Sequence, residues 1–229
     1  MNIFSEGYVL LINKPYDWTS FDVVRKIRSL IKIKKIGHAG TLDPLATGLL
    51  ILCTGKFTKK INEYMSREKE YTGTIQLGST TPTYDLESIP EDFKDTAHIT
   101  AHQVQEAAKT FEGDIMQVPP IYSAIKKDGK RAYEFARKGH DIVLEPRKIT
   151  VSKFETDLNN NGVVSFTIVC STGTYIRTLA HDLGRQLDCG GHLTALCRTR
   201  IGEFELKDAW TMEEAEKNIR EMLHQNENG

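Results

Sequence analysis

The sequence predicts an α+β fold, and three observations predict it. Runs in which apolar and polar residues alternate, as in half-buried strands, are interspersed with stretches of helical apolar spacing. Their order is mixed, without the strict strand–helix alternation of a doubly wound parallel sheet. Three threonine-led capping signals mark helix starts at well-separated points. The 229 residues are 39% hydrophobic and 27% charged, enough to bury a core and ordinary for a globular chain.

In chain order, Tyr8 to Ile12 reads as a buried strand ending at Asn13-Lys14-Pro15. Thr19-Ser20-Phe21-Asp22 is a capping box that opens a helix with Val23, Val24, Ile27, Leu30 and Ile31 on one side. A loop follows, then an apolar strand through Leu49 to Cys53. Phe57, Ile61, Tyr64 and Met65 have helical spacing, and Tyr71, Gly73, Ile75 and Leu77 alternate with polar residues as a strand. Thr81 to Ile99 is an acidic connection. Thr100 to Gln103 starts a helix with Val104, Ala107, Ala108 and Phe111 inward. Val118 to Lys148 is basic, with Pro119-Pro120 at its start and Pro146 near its end, and reads as an excursion from the core. Val164, Phe166, Ile168 and Cys170 alternate as a strand, and Thr172-Gly173-Thr174 turns it into a helix through Ile176, Leu179, Ala180, Leu183 and Leu187. Thr211 to Glu214 caps a last helix through Ala215, Ile219 and Leu223.

The net charge of −1 hides an uneven distribution. Residues 13–40 hold seven basic and two acidic side chains, and residues 121–148 hold eight and four. The acids gather elsewhere, eight against two bases in 84–114 and eight against three in 203–229. Two basic blocks in a near-neutral chain predict a localised polyanion-binding face. The longest apolar run, Leu49 to Cys53, cannot span a bilayer, and no signal peptide is evident at Met1 to Asn13. Cys53, Cys170, Cys189 and Cys197 form no CxxC pair, and Cys189, His192 and Cys197 beside His181 match no zinc spacing. Gly48 to Phe57 has the wrong spacing for a phosphate-binding P-loop, and no dinucleotide fingerprint occurs, so no nucleotide cofactor is expected.

Asp43 before Pro44 admits two readings. One is a helix N-cap with proline at the first helical position; the other is a carboxylate presented for chemistry. Arg177 falls in the first turn of its helix, where the macrodipole disfavours a cation by up to ~1 kcal/mol. An anion should offset it, and Asp43, Asp85 and an RNA phosphate are the candidates. Tyr71 faces inward on its strand. Tyr122 and Tyr133 lie among Lys126, Lys127, Lys130 and Arg131, a mixture suited to unpaired nucleotides.

Together these residues resemble a family. Gly37-His38-Ala39-Gly40-Thr41-Leu42-Asp43-Pro44-Leu45-Ala46-Thr47-Gly48 is similar to the catalytic loop of the TruB-type tRNA pseudouridine synthases almost letter for letter. Lys69-Glu70-Tyr71, Gln117-Val118-Pro119-Pro120 running into Tyr122-Ser123-Ala124-Ile125-Lys126, Gly173-Thr174-Tyr175-Ile176-Arg177 and the segment Leu193 to Phe204 follow in the family's order. The resemblance implies the pseudouridine synthase fold, a central mixed, mostly antiparallel sheet flanked by helices. It implies one catalytic domain over residues 1–229, with a basic thumb insertion at about 119–148, a C-terminal helix at about 211–224 and no PUA domain.

It further implies Asp43 as nucleophile, Tyr71 against the target base and Arg177 paired with the aspartate. Tyr175 and Leu196 would line the pocket, His38 would hold the opened RNA loop, and Asp85 would belong to the substrate-binding set. Lys14 and the thumb residues Lys126, Lys130 and Arg131 would contact RNA backbone. The family often has paired arginines after the pocket leucine; Leu196-Cys197-Arg198 keeps Arg198 alone for that contact. Ser88 replaces a glycine common after Asp85. The implied reaction converts the T-loop uridine at tRNA position 55 to pseudouridine, without cofactor or metal. The expected partner is the tRNA T-arm, and the expected state is a cytoplasmic monomer free of membrane. Sister families acting on ribosomal RNA carry Arg-Leu-Asp where this chain has Thr41-Leu42-Asp43. A tRNA-folding chaperone is the reading from another class, and it would not need Asp43.

Overall fold

The structure, a computed structural model, describes residues 3–123, 126–127, 130–131, 143–159 and 161–227. In chain order the elements are α1 (Ile3–Glu6), β1 (Val9–Lys14), α2 (Ser20–Ile31), β2 (Ile36–His38), β3 (Ala46–Thr54), a 3-10 segment (Gly55–Lys60), α3 (Ile61–Ser66) and β4 (Lys69–Leu77). Then come α4 (Ala101–Lys109), β5 (Gly113–Gln117), β6 (Lys126–Lys127), β7 (Lys130–Arg131), β8 (Arg147–Leu158), β9 (Val163–Cys170) and α5 (Ile176–Gln186). The chain closes with β10 (Gly191–Ile201), β11 (Phe204–Glu205), a 3-10 turn (Leu206–Asp208) and α6 (Met212–Glu227). It forms two compact units, residues 1–71 with 196–229, and residues 72–195; β4 and β10 run through both.

In the first unit β3 is the centre. It pairs antiparallel with β1 (Lys14↔Gly48 to Val9↔Cys53) and parallel with β10 (Ala46↔Leu196 to Gly48↔Arg198), and its far end carries β2. Leu50 and Leu52 face a core made with Leu10, Ile12, the α2 stripe Val23, Val24, Ile27 and Ile31, and Ala215 and Ile219 of α6. Leu49, Ile51 and Cys53 face the other side, against Ala39, Tyr64 and Ile201. Burial on both faces explains why β3 reads as a continuous apolar run. The Thr19–Asp22 box opens α2 as the sequence predicts, and Thr211 and Glu214 exchange the same reciprocal bonds at the start of α6.

In the second unit β8 pairs antiparallel with β5 (Gln117↔Arg147) and with β9 (Val151↔Cys170 to Leu158↔Val164). The register shifts between Val151 and Lys153, so a bulge breaks the alternation there. The strand order in this unit is β10-β4-β9-β8-β5. Thr100 and Gln103 form a full capping box on α4, and α5 buries Ile176, Leu179, Ala180 and Leu183. Of the basic excursion, β6 and β7 form a small antiparallel pair. The side chains of Lys126, Lys127, Lys130 and Arg131, and residues 132–142 with Tyr133, lie outside the described residues.

The N-cap reading of Asp43 does not hold. Pro44 follows it in a turn, closed by the Ala46 N–H donating to the Asp43 carbonyl at 3.1 Å, and the chain passes straight into β3. Proline presets the backbone for the second position of such a turn, so the dipeptide serves a strand entry.

Candidate active site

The loop carrying Asp43 is fastened along its whole length within the first unit. Ala39 N–H donates to the Ile51 carbonyl at 2.9 Å. The buried Ser20 hydroxyl accepts from Leu42 N–H (2.9 Å) and donates to its carbonyl (3.1 Å). Asp17 N–H reaches the Pro44 carbonyl at 3.0 Å. Two cations hold the ends. Lys14 Nζ donates to the carbonyls of Pro15 (2.9 Å), Trp18 and Pro44 (3.0 Å). Arg198 donates from Nη2 to the Gly40 carbonyl (3.1 Å) and from Nε to that of Leu49 (2.8 Å). Gly48, where β1 and β10 both meet β3, has φ +102°, and a Cβ there would lie 2.4 Å from the Arg198 carbonyl oxygen. Only glycine fits this position.

These bonds bear on two of the expected RNA-contact residues. Lys14 and Arg198 are 0% and 1% exposed, and all three Lys14 protons go to backbone carbonyls. Both are bonded to backbone carbonyls of the aspartate loop and of the strand it enters. Burial lowers the Lys14 pKa to about 8, and the charge of Asp43 resists that fall. Asp43 itself is half-buried. His38 ends β2, one residue before the loop; burial and then the Arg198 charge hold its imidazole below the usual range, which favours the neutral ring. Tyr71 is 8% exposed on β4, and Leu196 is the register partner of Ala46, where the loop enters β3.

In the second unit Arg177 occupies the first turn of α5 and is buried. Its Nη1 donates to the Thr83 carbonyl and its Nη2 to that of Tyr122, both at 3.0 Å. Its Nε lies 3.7 Å from the buried Asp85 carboxylate. Within its own unit, the anion beside Arg177 is Asp85. Tyr175 is the N-cap of α5 and has no side-chain cap of its own. Gln117, at the end of β5, supplies one: its Oε1 accepts from Tyr175 N–H (2.8 Å) and its Nε2 donates to the Tyr175 carbonyl (3.0 Å). The Arg147 guanidinium lies over the Tyr175 ring, 4.9 Å from its centroid.

Sequence reasoning missed the roles of Gln117 and Arg147. It also missed that Lys34 and Lys35 come together with Lys56, Lys59 and Lys60. The Gly55 N–H donates to the Lys35 carbonyl at 2.8 Å, which brings two exposed basic stretches side by side near His38. Lys56 pairs with Glu6, and Lys60 lies over the Phe57 ring. A summed charge count over 13–40 hints at one half of this patch and is blind to the other.

Residues 28–176 match the family described as TruB family pseudouridylate synthase (N terminal domain), and residues 177–228 match the tRNA pseudouridylate synthase B C-terminal domain. The chain is 52% identical over 213 residues to tRNA pseudouridine synthase B of Flavobacterium johnsoniae, covering 90% of this chain and 93% of that protein. It is 48% identical over 229 residues to the protein of the same name from Parabacteroides distasonis, covering 97% and 96%. A solved Cbf5-Nop10-Gar1 complex contains a similar chain, with a TM-score of 0.71 and 28% identity over 92% of this chain. This chain spans 53% of that one. An H/ACA RNP bound to a substrate RNA containing 2'-deoxyuridine shares the fold, with a TM-score of 0.72 at 24% identity, covering 97% of this chain and 56% of that one.

Proposed function

The chain belongs to the TruB family of pseudouridylate synthases, and from that premise we propose that it isomerises uridine in tRNA to pseudouridine, with the T-loop uridine at position 55 as its target. The observation that carries this reading is the Asp43 turn. A half-buried carboxylate sits on a loop fastened by Ser20, Lys14 and Arg198. Such rigidity suits a group that must meet one sugar carbon in one geometry.

The reaction breaks the bond from uracil N1 to the ribose C1′, turns the base, and joins C5 to the same carbon. The C5 proton is then lost and N1 regains one, so the product is an isomer of the substrate. Asp43 as an ionised carboxylate would attack or stabilise the sugar fragment as the base departs. Tyr71 would receive the flipped uracil on its face, and Tyr175 and Leu196 would each contact the substrate. Arg177 would keep Asp43 ionised, and its contact with Asp85 supports a role as an anchored cation. His38, the thumb residues Lys126, Lys130 and Arg131, and the lysines around Lys35 and Lys59 would hold the RNA. The protein would act as a monomer on the T-arm, in the cytoplasm. No helix among the described residues is long and apolar enough to cross a membrane.

The test is the modification state of a T-arm RNA and of whole tRNA after incubation with the purified protein and with Asp43→Asn. The wild type should convert position 55. The variant keeps the size of the side chain and removes its charge, and should bind RNA while leaving uridine intact. Conversion by the variant at a tenth of the normal rate or more would remove Asp43 from the chemistry. Conversion at another uridine only would reassign the target.

A further inference from the structure

Five non-glycine residues among those described have a positive φ. Three are aspartates, which tolerate this conformation, and Lys32 is the left-handed C-cap of α2. The fifth is Tyr84, with φ +64°. A bulky side chain in the left-handed region is an outlier, and such outliers persist only when surrounding contacts over-determine them. Tyr84 has those contacts. Its N–H donates to the Thr81 carbonyl at 3.1 Å, and its carbonyl accepts from Leu193 N–H at 2.9 Å. Its ring lies flat on the imidazole of His181, with centroids 3.9 Å apart and planes at 14°.

The two stacked residues adjoin a second pair. Tyr84 directly precedes Asp85, and His181 lies one helical turn beyond Arg177 on α5. Asp85 and Arg177 therefore form one link between this loop and the helix, and the rings form another. The buried Nδ1 of His181 has no hydrogen-bond partner among the described residues, so stacking is what this ring contributes. Burial lowers its pKa, with the Asp182 charge opposing and the Arg185 charge assisting, which favours the neutral ring.

We propose that Tyr84 and His181 are positioning residues: their stack holds the strained turn that sets Asp85 against Arg177, and through that pair the orientation of the Arg177 guanidinium. The inference rests on the reading above, in which Arg177 serves the reaction. A loop that relaxed its left-handed residue would carry the Asp85 carboxylate with it, and small displacements of positioning groups cost large factors in rate.

The experiment compares His181→Ala, His181→Phe, Tyr84→Ala and the double variant Tyr84→Ala/His181→Ala. It measures single-turnover pseudouridine formation at saturating tRNA, the tRNA Kd and the Tm, with Asp43→Asn as the inactive reference. Loss of the stack should slow conversion by about tenfold or more in His181→Ala and Tyr84→Ala, with Kd changed by less than about threefold. His181→Phe keeps a flat ring and should stay within about threefold of the wild-type rate. The double variant should be no slower than the slower single, because both remove one brace. Wild-type rates in His181→Ala and Tyr84→Ala would overturn the proposal. So would losses confined to Kd, or a His181→Phe variant as slow as His181→Ala at wild-type Tm. If Asp43→Asn converts uridine normally, the reaction reading fails first. If it is silent while His181→Ala runs at full rate, only the brace fails.

Discussion

Lys14 carries three protons, and the structure gives each one a backbone carbonyl. A buried ammonium is costly unless every donor is satisfied, so the three carbonyls are what permit its place under the aspartate loop. Its folded pKa of about 8 lies below the ordinary value of 10.5, with burial as the main cause. Between those two values the unfolded chain holds the proton that the folded chain has released. This group's linkage therefore favours folding as pH rises through that window. Activity should move the other way. A neutral amine has two protons for three carbonyls and no charge facing Asp43. The single-turnover rate of the wild type should accordingly fall as pH rises through about 8. Lys14→Met should be slower throughout and lack that fall. A wild-type profile flat from pH 7 to 9.5 would show that the clamp stays protonated.

At the scale of elements, α5 is instructive because it begins without a cap of its own. The cap comes from β5, through the side chain of the buried Gln117 on both polar groups of Tyr175. This bond pair also sets the approach of Tyr175 to the first turn, where Arg177 sits. Replacing Gln117 with Leu leaves the partly buried Tyr175 N–H unpaired and its carbonyl with the Leu179 N–H alone, and should destabilise the fold by about 1–3 kcal/mol. Gln117→Glu keeps the acceptor and loses the donor, so its loss should be smaller. Urea midpoints of the three proteins decide this. Equal midpoints for wild type and Gln117→Leu would mean that solvent satisfies Tyr175 equally well.

For the whole molecule, a net charge of −1 gives no reason to expect affinity for a polyanion. The distribution does. Lys34 and Lys35 lie beside Lys56, Lys59 and Lys60, while α6 exposes Glu213, Glu214 and Glu221 and places Ala215 and Ile219 in the core. Neutralising Lys34, Lys35, Lys59 and Lys60 together should weaken tRNA binding and reduce the salt slope, by roughly 0.7–0.9 for each phosphate that the protein no longer neutralises. The chemical step at saturating RNA should change little. A salt slope equal to that of the wild type would place this patch away from the RNA.

The sequence by itself determined the helix starts, the central strand and the identity of the aspartate loop. Each capping box is a pair of hydrogen bonds spanning three residues, so Thr19–Asp22, Thr100–Gln103 and Thr211–Glu214 are complete before any long-range contact forms. The apolar run of β3 and the alternation of Val164 to Cys170 are likewise local, being set by which faces are buried. Tertiary structure decided the rest. The strand β8 is hard to read because the bulge between Val151 and Lys153 puts Ile149, Val151 and Phe154 out of step. Residue type alone assigns Lys14 and Arg198 to the surface. Their burial depends on carbonyls of Trp18, Pro44, Gly40 and Leu49, which converge only when β1, β3 and β10 lie side by side. A charge goes inside only where distant segments supply its acceptors, and no short window of sequence shows them arriving.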